Sequence, residues 1–285
     1  MPAITSLREA VAALIEDGDS VALEGFTHLI PHAAGHEIIR QQRRDLTLLR
    51  MTPDIICDQL IGVGAVRTLV FSWGGNPGVG SLHRFRDAVE NDWPAPLELI
   101  EYTHATMAAA YAAGASGLPF GTLRASPATD LTRHNPNLSS ITCPFTGEML
   151  TAVAAHRPDV TVIHAQRADT AGNVQIWGIV GVQKEAALAA GRVLVTVEEI
   201  VDRLTPVPGA ITMPASVITT VCEVPNGAFP SYTQGYGRRD HAFYRRWDGI
   251  SRDRSTFLAW IDRHVRGSAD MRSFPGGVQG GGDPQ

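Results

Sequence analysis

Residues 157–202 read RPDVTVIHAQRADTAGNVQIWGIVGVQKEAALAAGRVLVTVEEIVD. Two β-branched runs, 160–164 and 193–197, are short and apolar, the pattern of strands buried on both faces. Between them, residues 183–190 are rich in Ala, Lys and Glu, and Gly191 stands where a helix would stop. The stretch therefore predicts a strand–helix–strand unit. Its second strand runs into Glu198, Glu199 and Asp202, at the carboxyl end of a buried strand where open α/β sheets place ligands. The alternative is that Glu199 and Asp202 open a following helix near its positive end.

The same alternation extends outward in both directions. Helices are expected over 6–16 (capped by Thr5 or Ser6), 33–42, 53–62, 81–91 and 105–113, and strands over 20–23, 46–50, 68–71, 97–101, 139–143 and 217–224. The fold class that follows is α/β: an open, doubly wound, mostly parallel sheet with helices on both faces. At 285 residues and 44% hydrophobic, the chain can bury one large core, placed here over residues 1–266. Residues 267–285, ending GGVQGGGDPQ, are expected to form a flexible Gly-rich tail. A net charge of −5 gives no footprint for nucleic acid, and no apolar run reaches the length of a membrane span. Cys57, Cys143 and Cys222 are far apart and form no CxxC, and the first helix is amphipathic rather than a signal peptide. Both features point to a reduced cytoplasmic setting.

Three loops at predicted strand ends carry chemistry. Gly25, Phe26, Thr27 and His28 follow the strand over 20–23 and precede a helix opened by Pro31, so free backbone N–H groups are available to an anion or acyl oxygen. Glu24, just before them, either faces the substrate or holds the loop through backbone N–H groups. His28, His32 and His36 recur every four residues and with Glu37 admit a zinc reading, but Pro31 separates His28 from the helix. No metal is expected, and the histidines are read as surface or capping groups, with His28 at the ligand edge. The second loop is Ser72, Trp73, Gly74, Gly75, Asn76, Pro77 and Gly78, whose glycines and polar side chains suit either a ligand-facing turn or a plain tight turn. In the third, Glu101 and His104 could polarise water or a carbonyl, whereas Thr103 would cap the next helix and Glu101 would pair with an arginine.

HAQRADTAGNV, KEAALAA and VTVEEIVD, with CPFTGE at 143–148 and VALEGFTHLIPHAAGHEIIR at 21–40, resemble the first (A) chain of family I coenzyme A transferases, and 101–120 resembles the glutaconate transferase branch. The resemblance covers roughly residues 5–265. It implies movement of CoA from succinyl-CoA to 3-oxoadipate or a similar short dicarboxylate, with the CoA thioester as substrate and no resident cofactor. In that chemistry a glutamate attacks the acyl thioester, giving a mixed anhydride and CoA thiolate. The thiolate then attacks the glutamyl carbonyl, releasing the donor acid and leaving a glutamyl-CoA thioester, and the acceptor takes CoA by the reverse sequence. The family's glutamate belongs to a B subunit, and its motif is not found here, so a heterodimer or α₂β₂ heterotetramer is implied. Glu101 is left as a fallback base, and the loops at Gly25 and Ser72 as the part this chain presents. The family loop carries a second glycine where this chain has Glu24. Two other readings remain: a transferase-like hydrolase opening a cyclic ketone CoA ester, and a non-catalytic acyl-CoA sensor. Arg84, Arg86 and Arg124 are the candidates for the distal carboxylate, with surface arginine as the plainer role for each.

Overall fold

The computed structural model describes residues 1–76, 79–124 and 130–267. The predicted tail beyond Gly267, and Pro77 and Gly78 of the second loop, lie outside them. In chain order the strands are β1 (Ala3–Ile4), β2 (Ser20–Glu24), β3 (Leu46–Leu49), β4 (Val66–Phe71), β5 (Glu98–Glu101), β6 (Phe120–Leu123), β7 (Leu138–Thr142), β8 (Met149–Ala154), β9 (Val160–Asp169), β10 (Val174–Ile176), β11 (Arg192–Val201), β12 (Ile211–Met213) and β13 (Thr220–Glu223). The helices are α1 (Leu7–Leu14), α2 (His32–Arg40), α3 (Ile55–Gly62), α4 (His83–Asn91), α5 (His104–Ala115), α6 (Asp130–His134), α7 (Gln183–Ala189), α8 (His241–Arg252) and α9 (Arg254–Ile261).

The main sheet runs β1-β13-β11-β9-β2-β3-β4-β5, and every pair along this path is parallel. This is the α/β class expected from the alternation of elements. The period-2 pattern sorts each strand between two layers. Val21 and Leu23 of β2, Leu48 of β3 and Leu69 of β4 enter one core with α1, α2, α3, α8 and α9. Their neighbours Ala22, Leu49 and Val70 enter another with α5 and α7. Gly35 of α2 sits so close to α3 that an added Cβ would lie 2.4 Å from Ile56 Cγ1, which sets the approach of two helices flanking the site.

Several local expectations are corrected. No helix opens at Glu199 or Asp202: Glu198 and Glu199 are inside a ten-residue strand that outlasts its apolar core, because residues 199–201 pair in register with 167–169 of β9. Beyond β9 the chain folds back as antiparallel β10, which also pairs with β12. A separate antiparallel sheet, β6-β8-β7, incorporates the strand predicted at 139–143. The run 217–224 is shortened to β13 by a 3₁₀ turn over Ala215–Val217. No helix among the described residues is long and apolar enough to cross a membrane.

Trp247 of α8 ties the first core together. It is fully buried, its indole N–H donates to Asp58 Oδ2 at 3.0 Å, and its ring meets Trp260 at 5.1 Å and Phe257 at 6.0 Å between centroids. Trp247→Ala is expected to cost about 3–5 kcal/mol of unfolding free energy, read from guanidinium unfolding. A loss below about 1 kcal/mol would mean that α8 and α9 are not part of the cooperative core.

Candidate active site at the carboxyl ends of the parallel strands

The sheet changes direction between β9 and β2, since successive strands β2, β3, β4 and β5 extend one way and β9, β11 and β13 the other. Ligands gather at the carboxyl ends beside such a switch. β2 ends there in Glu24, which is buried and accepts from Met51 N–H at 3.0 Å and from the Tyr111 hydroxyl at 2.9 Å. Burial raises its pKa, and Arg50 and these hydrogen bonds oppose the rise. Of the two roles open to Glu24, the holding one is what the structure displays: its carboxylate is acted on by the Met51 N–H from beyond β3 and by the Gly25 backbone of the loop itself.

The loop after Glu24 closes on itself. A Cβ on Gly25 would meet Leu29 O at 2.5 Å and Ile30 Cα at 2.9 Å. Thr27 and Leu29 have φ of 59° and 56°, a costly region for a β-branched residue. The turn is held from outside: Ser231 Oγ donates to Thr27 O at 2.9 Å, and Leu29 N–H to Tyr232 O at 2.9 Å.

Above the strand ends lies a cavity of about 280 Å³. Phe26, Thr27 and Ile30 line it from beyond β2, Arg50, Thr52 and Asp54 from beyond β3, Trp73 from beyond β4 and His104 from beyond β5; Arg239 and Tyr244 close it from the segment after β13. Arg50 is fully buried, donates from Nη1 to Leu23 O at 2.7 Å, and has Nη2 3.6 Å from Asp54 Oδ2. Burial works against its charge, and Asp54 helps to restore it. Burial likewise raises the Asp54 carboxyl, against the pull of Arg50. Arg239 lies over the Tyr244 ring at 3.9 Å and forms no ion pair with a carboxylate among the described residues. His104 Nδ1 is 3.1 Å from Ser72 Oγ, and the His104 ring meets Phe26 edge-on at 6.0 Å.

Of the residues proposed from sequence, Phe26, Thr27, Trp73 and His104 meet at this cavity. Gly25 does not line it; its lack of a side chain serves the turn. His28 is buried rather than at the ligand edge, Nδ1 3.2 Å from Ile179 O and its ring against Tyr232, and burial lowers its pKa to about 4. Ser72 instead supports the wall, donating to Met51 O at 2.7 Å. Asn76 is buried and donates to Tyr244 O at 2.9 Å. A Cβ on Gly75 would strike the Trp73 ring at 2.7 Å, so Gly75 gives the indole its seat. Trp73, Gly74, Gly75 and Asn76 also border a second depression, of about 550 Å³, together with Phe85 and Arg86.

Glu101 ends the edge strand β5 with an exposed side chain that makes no ion pair among the described residues. Thr103 takes the capping role, in a capping box with Thr106. His32 and His36 are not surface groups: both are fully buried, because α2 is covered on all sides. Among the described residues no group of three His, Cys, Asp or Glu is placed to hold a metal. Glu198 is taken up by His164 at 3.1 Å and Asn226 N–H at 2.6 Å, and Glu199 by Arg167 and Tyr236, each at 2.6 Å. Arg84 is spent on Asp87 and Arg252 O, Arg86 on Glu90 and Arg124 on Glu148, and none of the three lines the cavity. The arginines that do are Arg50 and Arg239, which sequence reasoning missed. For Arg50 a signal existed, an arginine at a predicted strand's carboxyl end; for Arg239, 189 residues further on, periodicity offered none.

A family model described as coenzyme A transferase matches residues 4–223. The chain belongs to the coenzyme A transferase family. It is 61% identical to the A chain of 3-oxoadipate CoA-transferase from Pseudomonas knackmussii, over 96% of this chain and 97% of that protein. It is 31% identical to the A chain of glutaconate CoA-transferase from Acidaminococcus fermentans, over 93% of this chain and 88% of that one. The crystal structure of glutaconate coenzyme A-transferase from the same organism superposes with a TM-score of 0.86, covering 94% of this chain and 90% of that chain at 31% identity. The decarboxylase AibA/AibB superposes at 0.80 with 27% identity, covering 91% and 98%.

The buried histidines have a consequence for acid stability. His32 has neither ring nitrogen hydrogen-bonded among the described residues, and burial, with His36 and the nearby arginines, holds its pKa well below 6.5. Below about pH 6.5 the unfolded chain takes up a proton that folded His32 refuses, so its contribution is complete above that pH and falls by up to about 1.4 kcal/mol per pH unit on acidification. Asp58, raised by burial to about 7, acts in the opposite sense, favouring the fold as pH drops below 7. His32→Leu is expected to flatten the acid limb of stability between pH 6.5 and 5 in urea unfolding. An unchanged limb would show that His32 does not carry this linkage.

Proposed function

We propose that this chain is the first of the two subunits of a CoA-transferase that moves CoA from succinyl-CoA to 3-oxoadipate in aromatic compound degradation. Identity of 61% along nearly the full length of the A chain of a 3-oxoadipate CoA-transferase carries the reading. The cavity supports it with aromatic walls of Phe26, Trp73 and Tyr244 for a short acyl chain. The attacking glutamate is assigned to a B subunit, and the α/β unit over 1–266 supplies the acyl-binding wall. The CoA thioester enters as substrate, no resident cofactor is required, and the cytoplasm is the setting. Glu101 gains no support as a hydrolytic base, since its exposed side chain is absent from the cavity wall.

The test is to co-purify this chain with its B subunit, then to assay 3-oxoadipyl-CoA formed at the expense of succinyl-CoA. Stoichiometric exchange by the pair and none by the isolated chain is expected. Release of free CoA in place of exchange, or full exchange by this chain alone, would end the proposal.

A further inference from the structure

We infer that Arg239, backed by Arg50, binds the free distal carboxylate of the acyl group, and that this contact confines the enzyme to acyl groups ending in a carboxylate. The inference rests on the transferase reading above and adds to it the residue that selects the substrate.

The cavity wall carries two guanidinium groups, Arg50 and Arg239, against one carboxylate, Asp54. Asp54 stands 3.6 Å from Arg50 Nη2, and Glu24 adds a further favourable charge behind Arg50. Arg239 has no such ion pair among the described residues; its guanidinium rests on the Tyr244 ring at 3.9 Å. Both carboxylates act chiefly on Arg50, and Arg239 exerts only the weaker pull on Asp54, so Arg239 is the cation of this partly enclosed space that has no carboxylate at ion-pair distance among the described residues. Hydrogen bonding agrees, for Arg239 Nε, Arg50 Nε and Arg50 Nη2 are buried donors without an acceptor among the described residues. Buried donors on a cavity wall call for an acceptor from the ligand. A planar fork of N–H groups suits a carboxylate or a phosphate, held by two parallel hydrogen bonds.

Size separates those two sources of negative charge. At about 280 Å³ the cavity is just below the range of roughly 300–1,000 Å³ for sites that enclose drug-sized ligands. It suits a short acyl chain, whereas the phosphates of CoA belong to a much larger group. Phe26, Ile30 and Trp73 give the same wall apolar surface for methylene groups. Both succinyl and 3-oxoadipyl groups end in a carboxylate, so one contact serves both halves of the exchange. Arg239, half-buried and at a loop position, can also be replaced without opening the sheet core.

The experiment uses the full chain in complex with its B subunit, given pairs of substrates that differ by one group: 3-oxoadipate against 3-oxohexanoate as acceptor, and succinyl-CoA against butyryl-CoA as donor. Arg239→Met is expected to lower kcat/KM for the carboxylate-ended member of each pair by roughly 30-fold or more, leaving the methyl-ended member unchanged or improved. Equal losses for both members would mean that Arg239 serves CoA phosphate or the fold, and no loss would mean that it serves neither; each overturns the inference. If Arg239→Met does not co-purify with its partner, Arg239→Lys replaces it: a lower preference for 3-oxoadipate over 3-oxohexanoate supports the inference, and an unchanged preference overturns it. Calorimetric titration of the complex with succinate and with butyrate separates this result from the transferase reading. Should the unaltered complex fail to exchange CoA, that reading falls, while selective loss of succinate binding in the variant still upholds the carboxylate site and its retention overturns it.

Discussion

The site is organised around one buried cation. Arg50 is fully buried at the end of β3, and a charge placed there needs counter-charges and acceptors within reach. It finds the Leu23 carbonyl at the end of β2 and Asp54 just before α3, while Glu24 compensates from behind. Glu24 in turn takes the Met51 amide and the Tyr111 hydroxyl, which brings α5 into the same arrangement. Removing one member of a buried pair typically costs about 3–5 kcal/mol, because the other is left uncompensated. The ends of β2 and β3, the start of α3 and the second half of α5 are therefore fixed relative to one another by charge as well as packing.

Onto this base the segment after β13 is laid as an outer wall. It reaches the turn after β2 through Ser231 and Tyr232, and the loop after β4 through the bond from Asn76 to Tyr244 O. These contacts hold Thr27 at a φ of 59°, which the turn alone would not favour. The strained turn, the indole seated over Gly75 and the arginine on Tyr244 are thus mutually dependent. On the proposed function, a rigid surround of this kind would keep an acyl chain at fixed distance from whatever group attacks its carbonyl.

Much of the fold was legible because the signal was local. Runs such as Val193, Leu194, Val195 and Val197 carry their strand character in composition, and Thr103 and Ser6 carry their caps in spacing. The length of β11 was not legible, because Glu199 to Val201 remain extended through pairing with β9 rather than through propensity. At the site, sequence located the loops but not the direction of their side chains. Gly25 and His28 are adjacent to Phe26 and Thr27, yet the sharp turn sends one pair into packing and the other to the cavity. Arg239 was out of reach for a different reason: its neighbourhood is made by long-range chain return, which no window of sequence contains.

What the described residues lack follows from the same contacts. Nucleophilic attack on a thioester needs a carboxylate that is ionised, exposed to the acyl carbonyl and free of tight partners. Glu24 is consumed by Met51 and Tyr111, Glu198 by His164 and Asn226, and Glu199 by Arg167 and Tyr236. Asp54 reaches the cavity, but burial favours its protonated form and Arg50 is its counter-charge, so using it as nucleophile would unbalance the cation on which the strand ends depend. Glu101 is ionisable and exposed but stands off the wall. Each of these carboxylates near the strand ends is thus committed, hindered or displaced, and the arrangement that remains is suited to binding and orienting an acyl group for a carboxylate delivered by a second subunit.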